Sequence, residues 1–481
     1  MGNPATDDRV PLVIDLDGTL LHSDLLLESS LLFVRTQPWN AWRPLRWLQQ
    51  GGKAGLKQRL AEATDLDVSV LPYNEDVLAL AREAREQGRD VVLATASHLL
   101  LAQRIAEHLQ LFDQVFATAD GHNLSAGNKR DALVAAFGVG GFDYAGNAAD
   151  DVPVWEQARS AILVNASAAV TRSARAVGNV HSVMRSPAAT AGTWFKALRL
   201  HQWLKNLLIF VPLLAAHQVA NLSLWLDGLL AFFIFGLCAS SVYLLNDLLD
   251  LNDDRHHPVK SKRPFAAGLL SIRQGMAVAP TLLVIAFALA LWCLPLLFVG
   301  VLLLYYLVTL AYSLLLKRIM GLDVIILASL YTLRIIAGVA ALALTPTFWL
   351  LAFSMFIFLS LALVKRYTEL REQRRKGNTE KSRGRGYYPD DLEMISSLGA
   401  ASGYLSVMVL ALYINDAKTM QMYAYPQLIW LACPLLLLWI TRIWMLTHRG
   451  QMPDDPVVFA VTDRFSLLTG LVFALTFWIA V

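Results

Sequence analysis

The sequence predicts two architectures in one chain. Residues 1–190 read as a doubly wound α/β domain with a helical cap, and 196–481 as an all-α bundle of nine transmembrane helices. Three observations carry this. Of 481 residues, 56% are hydrophobic and only 16% charged, an apolar excess that a soluble protein of this length rarely carries. The excess is concentrated after about residue 195. Before it, short β-branched runs alternate with helical stretches, the pattern of a parallel sheet covered by helices.

In the first part, "PLVIDL", "DVVLATA", "DQVFAT", "FDYAG" and "AILVN" read as strands, with "LLAQRIAEHLQL" and "KRDALVAAFGV" as helices among the last four. Residues 20–88, between the first two strands, are too many for one crossover and predict the helical cap. Within it, "RTQPWNAWRPLRWLQ" interleaves Trp39, Trp42 and Trp47 with Arg35, Arg43 and Arg46. Trp with Arg suits a membrane interface, and equally a cap that packs on its own domain. The N-terminus lacks the basic, apolar, small-residue order of a cleavable signal peptide.

From about residue 203, apolar stretches lie near 203–219, 225–245, 276–294, 296–316, 322–344, 347–364, 396–414, 426–446 and 457–480. Each is close to the roughly 20 residues that cross a bilayer core. Lys and Arg crowd 196–205, 255–273, 317–318, 365–385 and 442–464, whereas alternate loops such as "AAHQVANLS" and "TPT" hold almost none. By the positive-inside bias, the basic loops and the α/β domain are cytoplasmic and the C-terminus lies outside. Cys238, Cys293 and Cys433 all lie in apolar runs, with neither disulfide nor zinc spacing. A net charge of +3 makes no case for nucleic acid, and no such partner is expected.

Two acidic patterns carry chemistry. In "VIDLDGTLL", Asp15 and Asp17 follow a strand and precede a glycine turn. Two carboxylates so close to a buried strand are costly unless they meet metal or substrate. Thr95 ends "VVLATAS", Lys129 opens "KRDAL", and "GNAADDVPV" follows. These four pieces, in order over residues 10–165, resemble the motifs of the haloacid dehalogenase-like phosphatase superfamily. The resemblance implies Asp15 as the nucleophile that forms an aspartyl-phosphate and Asp17 as general acid and base. It also implies Thr95 and Lys129 on the phosphoryl oxygens, and Mg2+ near Asp15, Asp17, Asn147 and Asp151. The chain departs from the family at Asn147, where an aspartate usually ligates the metal. An amide oxygen can still ligate Mg2+; the alternative is a degenerate or regulatory domain.

The second pattern is "NDLLDLNDDRHHPVKSKRP", directly after the apolar run "LLAFFIFGLCASSVYLL". If that helix continues, Asp247, Asp250 and Asp254 fall at i, i+3 and i+7 on one face, where they repel and need a cation. Oxygen ligands favour Mg2+. Asp253 falls off this face and is expected to be solvated. Arg255, His257, Lys260, Lys262 and Arg263 follow, so acids for metal stand beside bases for phosphate. With Asn246 at its head, this NDxxDxxxD pattern and the nine spans resemble the UbiA-type intramembrane prenyltransferases over 196–481. That family has a second acidic region; the matching stretch "YSLLLKRIMGLDVIILASLYTLR" offers Lys317, Asp323 and Arg334, with a single acid.

The further pieces "LRLHQWLKN", "LALVKRYTEL" and "DDPVVFAVTDR" resemble the polyprenyl-phosphate phosphoribosyltransferase branch. That branch implies phosphoribosyl pyrophosphate as donor and polyprenyl phosphate as acceptor, in a bacterial plasma membrane with both sites cytoplasmic. Lys205, Arg334, Lys365 and Arg366 are then candidates to hold phosphates, and Tyr367 and Glu369 to meet ribose hydroxyls. The alternative is a prenyl diphosphate donor with a small aromatic acceptor. Charges gathered at one face, not at mid-bilayer, argue against transport. The stretch "REQRRKGNTEKSRGRGYYPDD" reads as a mobile basic loop.

Overall fold

The computed structural model describes residues 10–119, 121–381, 385–453 and 455–480. Two compact units emerge. One holds the chain up to Leu198 together with Leu244–Val278; the other holds Arg199–Tyr243 and the chain from Ala279 on. The acidic segment after Asn246 therefore groups with the N-terminal domain, and a single cut between 190 and 196 does not separate the units.

The first unit is built on a parallel sheet of β1 (Leu12–Ile14), β2 (Val91–His98), β3 (Gln114–Thr118), β4 (Asp143–Gly146), β5 (Ser160–Val164) and β6 (Val180–Met184). Its order is β3-β2-β1-β4-β5-β6, and Leu12 pairs with Val91 on one side and Asp143 on the other. β1 is buried on both faces: Leu12 and Ile14 pack with Val91 and Leu93, Val13 with Val92, Leu133 and Trp155. Withdrawing each of these side chains from water stabilises the domain by roughly 2 kcal/mol. The order reverses beside β1, so its carboxyl end is the switch point where open α/β sheets bind ligands.

All five strands expected from sequence are present, and β6 is an addition. It is an edge strand that alternates half-buried and exposed residues, so it carries no apolar run to announce it.

Between β1 and β2 lies the cap: α1 (Leu25–Thr36), α2 (Arg43–Ala63) and α3 (Glu75–Glu86). Asp24 caps α1 by accepting from the Leu26 and Leu27 amides. Helix α2 breaks at Gly52, whose φ of +58° and ψ of −161° belong to glycine alone. The crossovers of the remaining strands are α4 (Leu99–Leu109), α5 (Gly127–Phe137), α6 (Val152–Trp155) and α7 (Ala168–Val177).

Among the described residues, seven helices are long and apolar enough to cross a membrane: Leu222–Leu249, Ile272–Cys293, Leu296–Leu314, Leu322–Ala341, Phe348–Arg375, Pro389–Ile414 and Pro426–Arg449. The first and last of the nine expected spans are shorter apolar helices, Leu200–Ala215 and Arg464–Ala480. Leu200–Phe210 winds as tight 3₁₀ turns, and Pro212 opens the helix that follows. Small residues set the packing of the second unit. A Cβ on Gly338 would come within 2.1 Å of the Ile209 carbonyl oxygen, and one on Gly236 within 2.7 Å of Trp203.

Candidate active sites

Burial of β1 fixes where Asp15 and Asp17 emerge. The Asp15 amide still donates to Ala145 of β4 at 2.9 Å, and the chain then turns at Gly18 with φ +78°. Asp15 is nearly buried; Oδ1 accepts from Lys129 Nζ at 2.7 Å and Oδ2 from Thr19 Oγ1 at 3.3 Å. Asp17 accepts from the Leu25 amide at 2.8 Å and from Ser97 Oγ at 2.6 Å. Lys129, in the first turn of α5, also donates to Tyr144 Oη at 2.8 Å and lies 3.4 Å from Asp151 Oδ1. Thr95 is fully buried and accepts from the Ser97 amide at 2.9 Å. Three of the four motifs thus converge on Asp15.

The electrostatics follow from burial with too little positive charge. Burial raises the Asp15 carboxyl to about 7; Lys129 opposes this and Asp151 adds to it. Burial, then Asp24, raises Asp17 to about 6. Burial alone would lower the Lys129 ammonium, but Asp15 and Asp151 outweigh it and hold the group above its ordinary value. A small cleft adjoins Leu25 and Ser97, the two donors to Asp17. Leu25, Leu26, Leu60 and Leu101 line it, with Lys57 and Ser97 as polar members. Lys57 is anchored on the Ala96 carbonyl at 2.6 Å and on Asn123 Oδ1 at 2.8 Å.

The donor set suits a hard cation. Asp15 and Asp17 supply carboxylates, and the Asn147 amide presses on the turn, since a Cβ on Gly18 would lie 2.0 Å from it. Asp151, the fourth expected ligand, is held by its neighbours. Oδ2 accepts from the Asn147 and Ala148 amides at 2.9 and 3.0 Å, and Oδ1 from Tyr144 Oη at 2.7 Å. With both oxygens engaged, it positions Lys129 and the loop after β4. Among the described residues, no three Asp, Glu, His or Cys side chains form a ready-made metal cage. A Mg2+ ion would therefore rely on Asp15 and Asp17 with the Asn147 amide and substrate phosphate.

In the second acidic pattern the helix does not run on as expected. Leu222–Leu249 ends at Asp250 (φ −96°, ψ 12°), and a short helix Leu251–Arg255 follows. The break divides the acids. Asp247 and Asp254, both buried, share Arg263 Nη1 at 3.2 and 2.6 Å. Asp250 instead meets Arg35 of α1 at 2.8 Å. Asp253, expected to be merely solvated, pairs with the same arginine at 3.1 Å. Arg255 is buried and reaches Glu28 of α1 with two bonds of 3.1 and 2.6 Å, so it faces an acid and not a substrate phosphate. Glu28 in turn accepts from Ser23, in the loop that follows Gly18. His257, Lys260 and Lys262 are exposed, and His257 Nδ1 accepts from the Val259 and Lys260 amides.

This segment too fits a divalent cation. Two buried carboxylates converge on one cationic atom, and the buried Oδ1 of the neighbouring Asn246 has no hydrogen-bond partner. Burial raises the Asp254 carboxyl to about 6, with Arg263 opposing and Asp247 adding.

A sequence model of the UbiA prenyltransferase family matches residues 207–469, more than half of the chain. The chain belongs to that family. Among curated relatives, the uncharacterized protein y4nM of Sinorhizobium fredii is 36% identical over 98% of this chain and 92% of its own length. The nodulation protein NoeC of Azorhizobium caulinodans is 36% identical over 59% of this chain and 92% of its own length. A decaprenyl-phosphate phosphoribosyltransferase of Mycolicibacterium smegmatis is 30% identical over 56% of this chain and 86% of its own. The protein is thus an integral membrane member of the UbiA family, related to such a transferase.

The remaining UbiA-region candidates fall into separate clusters. Lys205 pairs with Asp455 and lies 5.5 Å from the Tyr331 ring. Arg334 is enclosed by Phe235, Tyr305 and Tyr331, and donates to Leu330 O at 2.6 Å and Tyr305 Oη at 3.1 Å. Asp323 is fully buried between Arg366 at 2.6 Å and Arg385 at 2.9 Å, and accepts from Tyr312 Oη at 2.7 Å. Arg366 also meets Glu369. Tyr367 faces His448 at 3.1 Å, while Lys317 is buried and Lys365 half-buried.

Sequence reasoning missed Asp455, Ser97, Tyr144 and Arg385 as site members. Asp455 lay in a quoted motif, but no spacing links it to Lys205. The loop read as mobile is anchored at its far end by Arg385 and by Tyr387 Oη, which accepts from the Gly321 amide at 3.0 Å; its residues 382–384 lie outside the described residues.

Proposed function

We propose that the protein transfers 5-phosphoribose from phosphoribosyl pyrophosphate to a polyprenyl phosphate, and then removes the 5-phosphate to leave polyprenyl phosphoribose. One observation carries the reading: a chain 30% identical over 56% of its length to a decaprenyl-phosphate phosphoribosyltransferase also holds Asp15, bonded to Lys129, and the nearby Asp17.

In the transfer, an oxygen of the lipid phosphate attacks C1 of the ribose, the C1–O bond to diphosphate breaks, and diphosphate leaves. The acceptor is already an anion, so no strong general base is needed. Asp247, Asp250 and Asp254 are the acids that would hold Mg2+, whose charge offsets that of the departing diphosphate. Arg263 and Lys260 lie within the same segment and can add charge to it. Lys205, Arg334 and Lys365 are the bundle cations available to phosphate groups.

In the second reaction, Asp15 Oδ attacks phosphorus, and the ribose 5-oxygen leaves with a proton from Asp17. Asp17, now ionised, takes a proton from the water that attacks the aspartyl-phosphate, which releases inorganic phosphate and restores Asp15. Lys129 holds the phosphoryl charge, and the raised carboxyl of Asp17 suits a proton donor near neutral pH. The protein faces the cytoplasm with both sites in this reading.

A prenyl diphosphate donor with a small acceptor is the second reading, favoured by the family's prenyltransferase character. Asp323 weighs against it, because two guanidiniums already neutralise the single acid of the second region.

The test is a Mg2+-dependent assay of purified protein with ribose-labelled phosphoribosyl pyrophosphate and polyprenyl phosphate, lipid products being weighed by mass spectrometry. Label should enter lipid, and Asp15→Asn should leave one extra phosphate on the product. Consumption of a prenyl diphosphate with no label in lipid would refute the reading.

A further inference from the structure

The outer half of the cap serves neither site. Between Glu28 and Glu62 the chain has no acid but six cations: Arg35, Arg43, Arg46, Lys53, Lys57 and Arg59. Within this stretch Trp39 is 78% exposed, Trp42 53%, Leu45 67% and Leu48 40%, with Arg43 and Arg46 exposed among them. Trp47 alone turns inward, edge-on to Phe33 at 5.1 Å. Two tryptophans and two leucines on successive turns form the kind of apolar patch that a domain keeps for a partner. The Gly52 break separates them from the half of α2 that sends Leu56 and Leu60 into the core, so packing does not require them.

Position names the partner. Arg35, three residues before Pro38, is paired with Asp250 and Asp253, which directly follow the membrane-length helix Leu222–Leu249. The tryptophan-bearing segment therefore starts where an apolar helix ends. Exposed Trp at that level, flanked by Arg and free of acids, matches the interfacial layer of a bilayer with anionic headgroups.

We propose that residues 38–51 form an in-plane membrane anchor. Trp39, Trp42, Leu45 and Leu48 enter the headgroup region, and Arg43 and Arg46 bind phosphates of anionic phospholipids. Beyond the Gly52 break the same chain carries Lys57 and Leu60 into the wall of the cleft next to Ser97, so the anchor tethers that wall to the surface from which a lipid-borne substrate arrives. This last consequence rests on the proposed phosphatase role; the anchoring itself does not.

The experiment uses the full chain in nanodiscs of phosphatidylcholine, with or without phosphatidylglycerol. A photoreactive benzoylphenylalanine replaces Leu45 or, as a control, Val139, which is 72% exposed and lies outside the cap. Lipid adducts should form at position 45 and not at 139, and should increase with the anionic lipid. The Arg43→Gln/Arg46→Gln pair should cut that increase roughly tenfold. Equal labelling at 45 and 139, or an adduct to a second copy of the chain, would overturn the anchor. Adducts indifferent to phosphatidylglycerol would overturn the role given to the two arginines. Because labelling is scored independently of turnover, a failed phosphatase assay would leave it unaffected.

Discussion

The two acidic turns of this chain differ in what stands opposite the acids. Asp15 and Asp17 face one ammonium, two hydroxyls and an amide, and burial lifts both carboxyls toward neutrality. Asp247, Asp250, Asp253 and Asp254 each meet a guanidinium. The first centre sets a single ammonium, Lys129, against its buried carboxylates. The second is compensated from within, so a cation or diphosphate there must share or shift Arg263. Buried charges tolerate either solution but not the loss of one partner.

Breaking the first centre should have the largest effect. Asp15→Asn should lower phosphate release by about four orders of magnitude while label still enters lipid, as mass analysis of the lipid would show. In the second centre, Asp247→Asn or Asp254→Asn should lower lipid labelling by roughly 10²–10³, the range for loss of one transition-state charge partner, and leave hydrolysis of a small phosphate ester intact. Glu28→Gln probes the link between the two, because Glu28 joins Arg255 to Ser23. It should destabilise the first unit by about 3 kcal/mol and weaken both activities. Unchanged thermal unfolding with unchanged rates would make the link a bystander.

The pH dependence of stability sharpens the contrast. In the unfolded chain these carboxyls ionise near 3.8, and in the folded domain Asp15 and Asp17 are raised to about 7 and 6. The folded form thus holds more protons between those limits. The stability they contribute is full below the unfolded value and is lost as pH rises through 6 and then 7. Unfolding scans across that window should show the fall, Mg2+ should offset it above pH 7, and the Asp15→Asn/Asp17→Asn pair should flatten it. The smallest effect belongs to the half-exposed pair His256–Asp67 at 2.9 Å, where His256→Ala should change stability by less than ~1 kcal/mol.

The sheet, the cap and most apolar helices were legible because periodicity reports them directly. Asp15, Asp17 and Lys129 were legible because one motif sits at a strand end and another at a helix start. The break at Asp250 was not, since "NDLLDLNDD" holds no proline or glycine to mark it. Nor was the pairing of Arg255 with Glu28, 227 residues apart in sequence, or the neutralising of Asp323 from the far side of a basic loop. Ser97 and Tyr144 lie within strands as ordinary sheet residues. Their hydroxyls become informative only once β2 and β4 flank β1.

The ties between α1 and the segment after Asn246 bear on how such proteins arise and can be taken apart. NoeC is matched over 59% of this chain and 92% of its own length, and in this chain Glu28 and Arg35 of α1 pair with the acidic segment after Asn246. Severing the chain at Leu198 would strand Arg255 without its carboxylate and take Arg35 from Asp250. The halves have therefore ceased to be interchangeable modules: a shortened descendant would have to reinvent two buried counter-charges before it could stand alone.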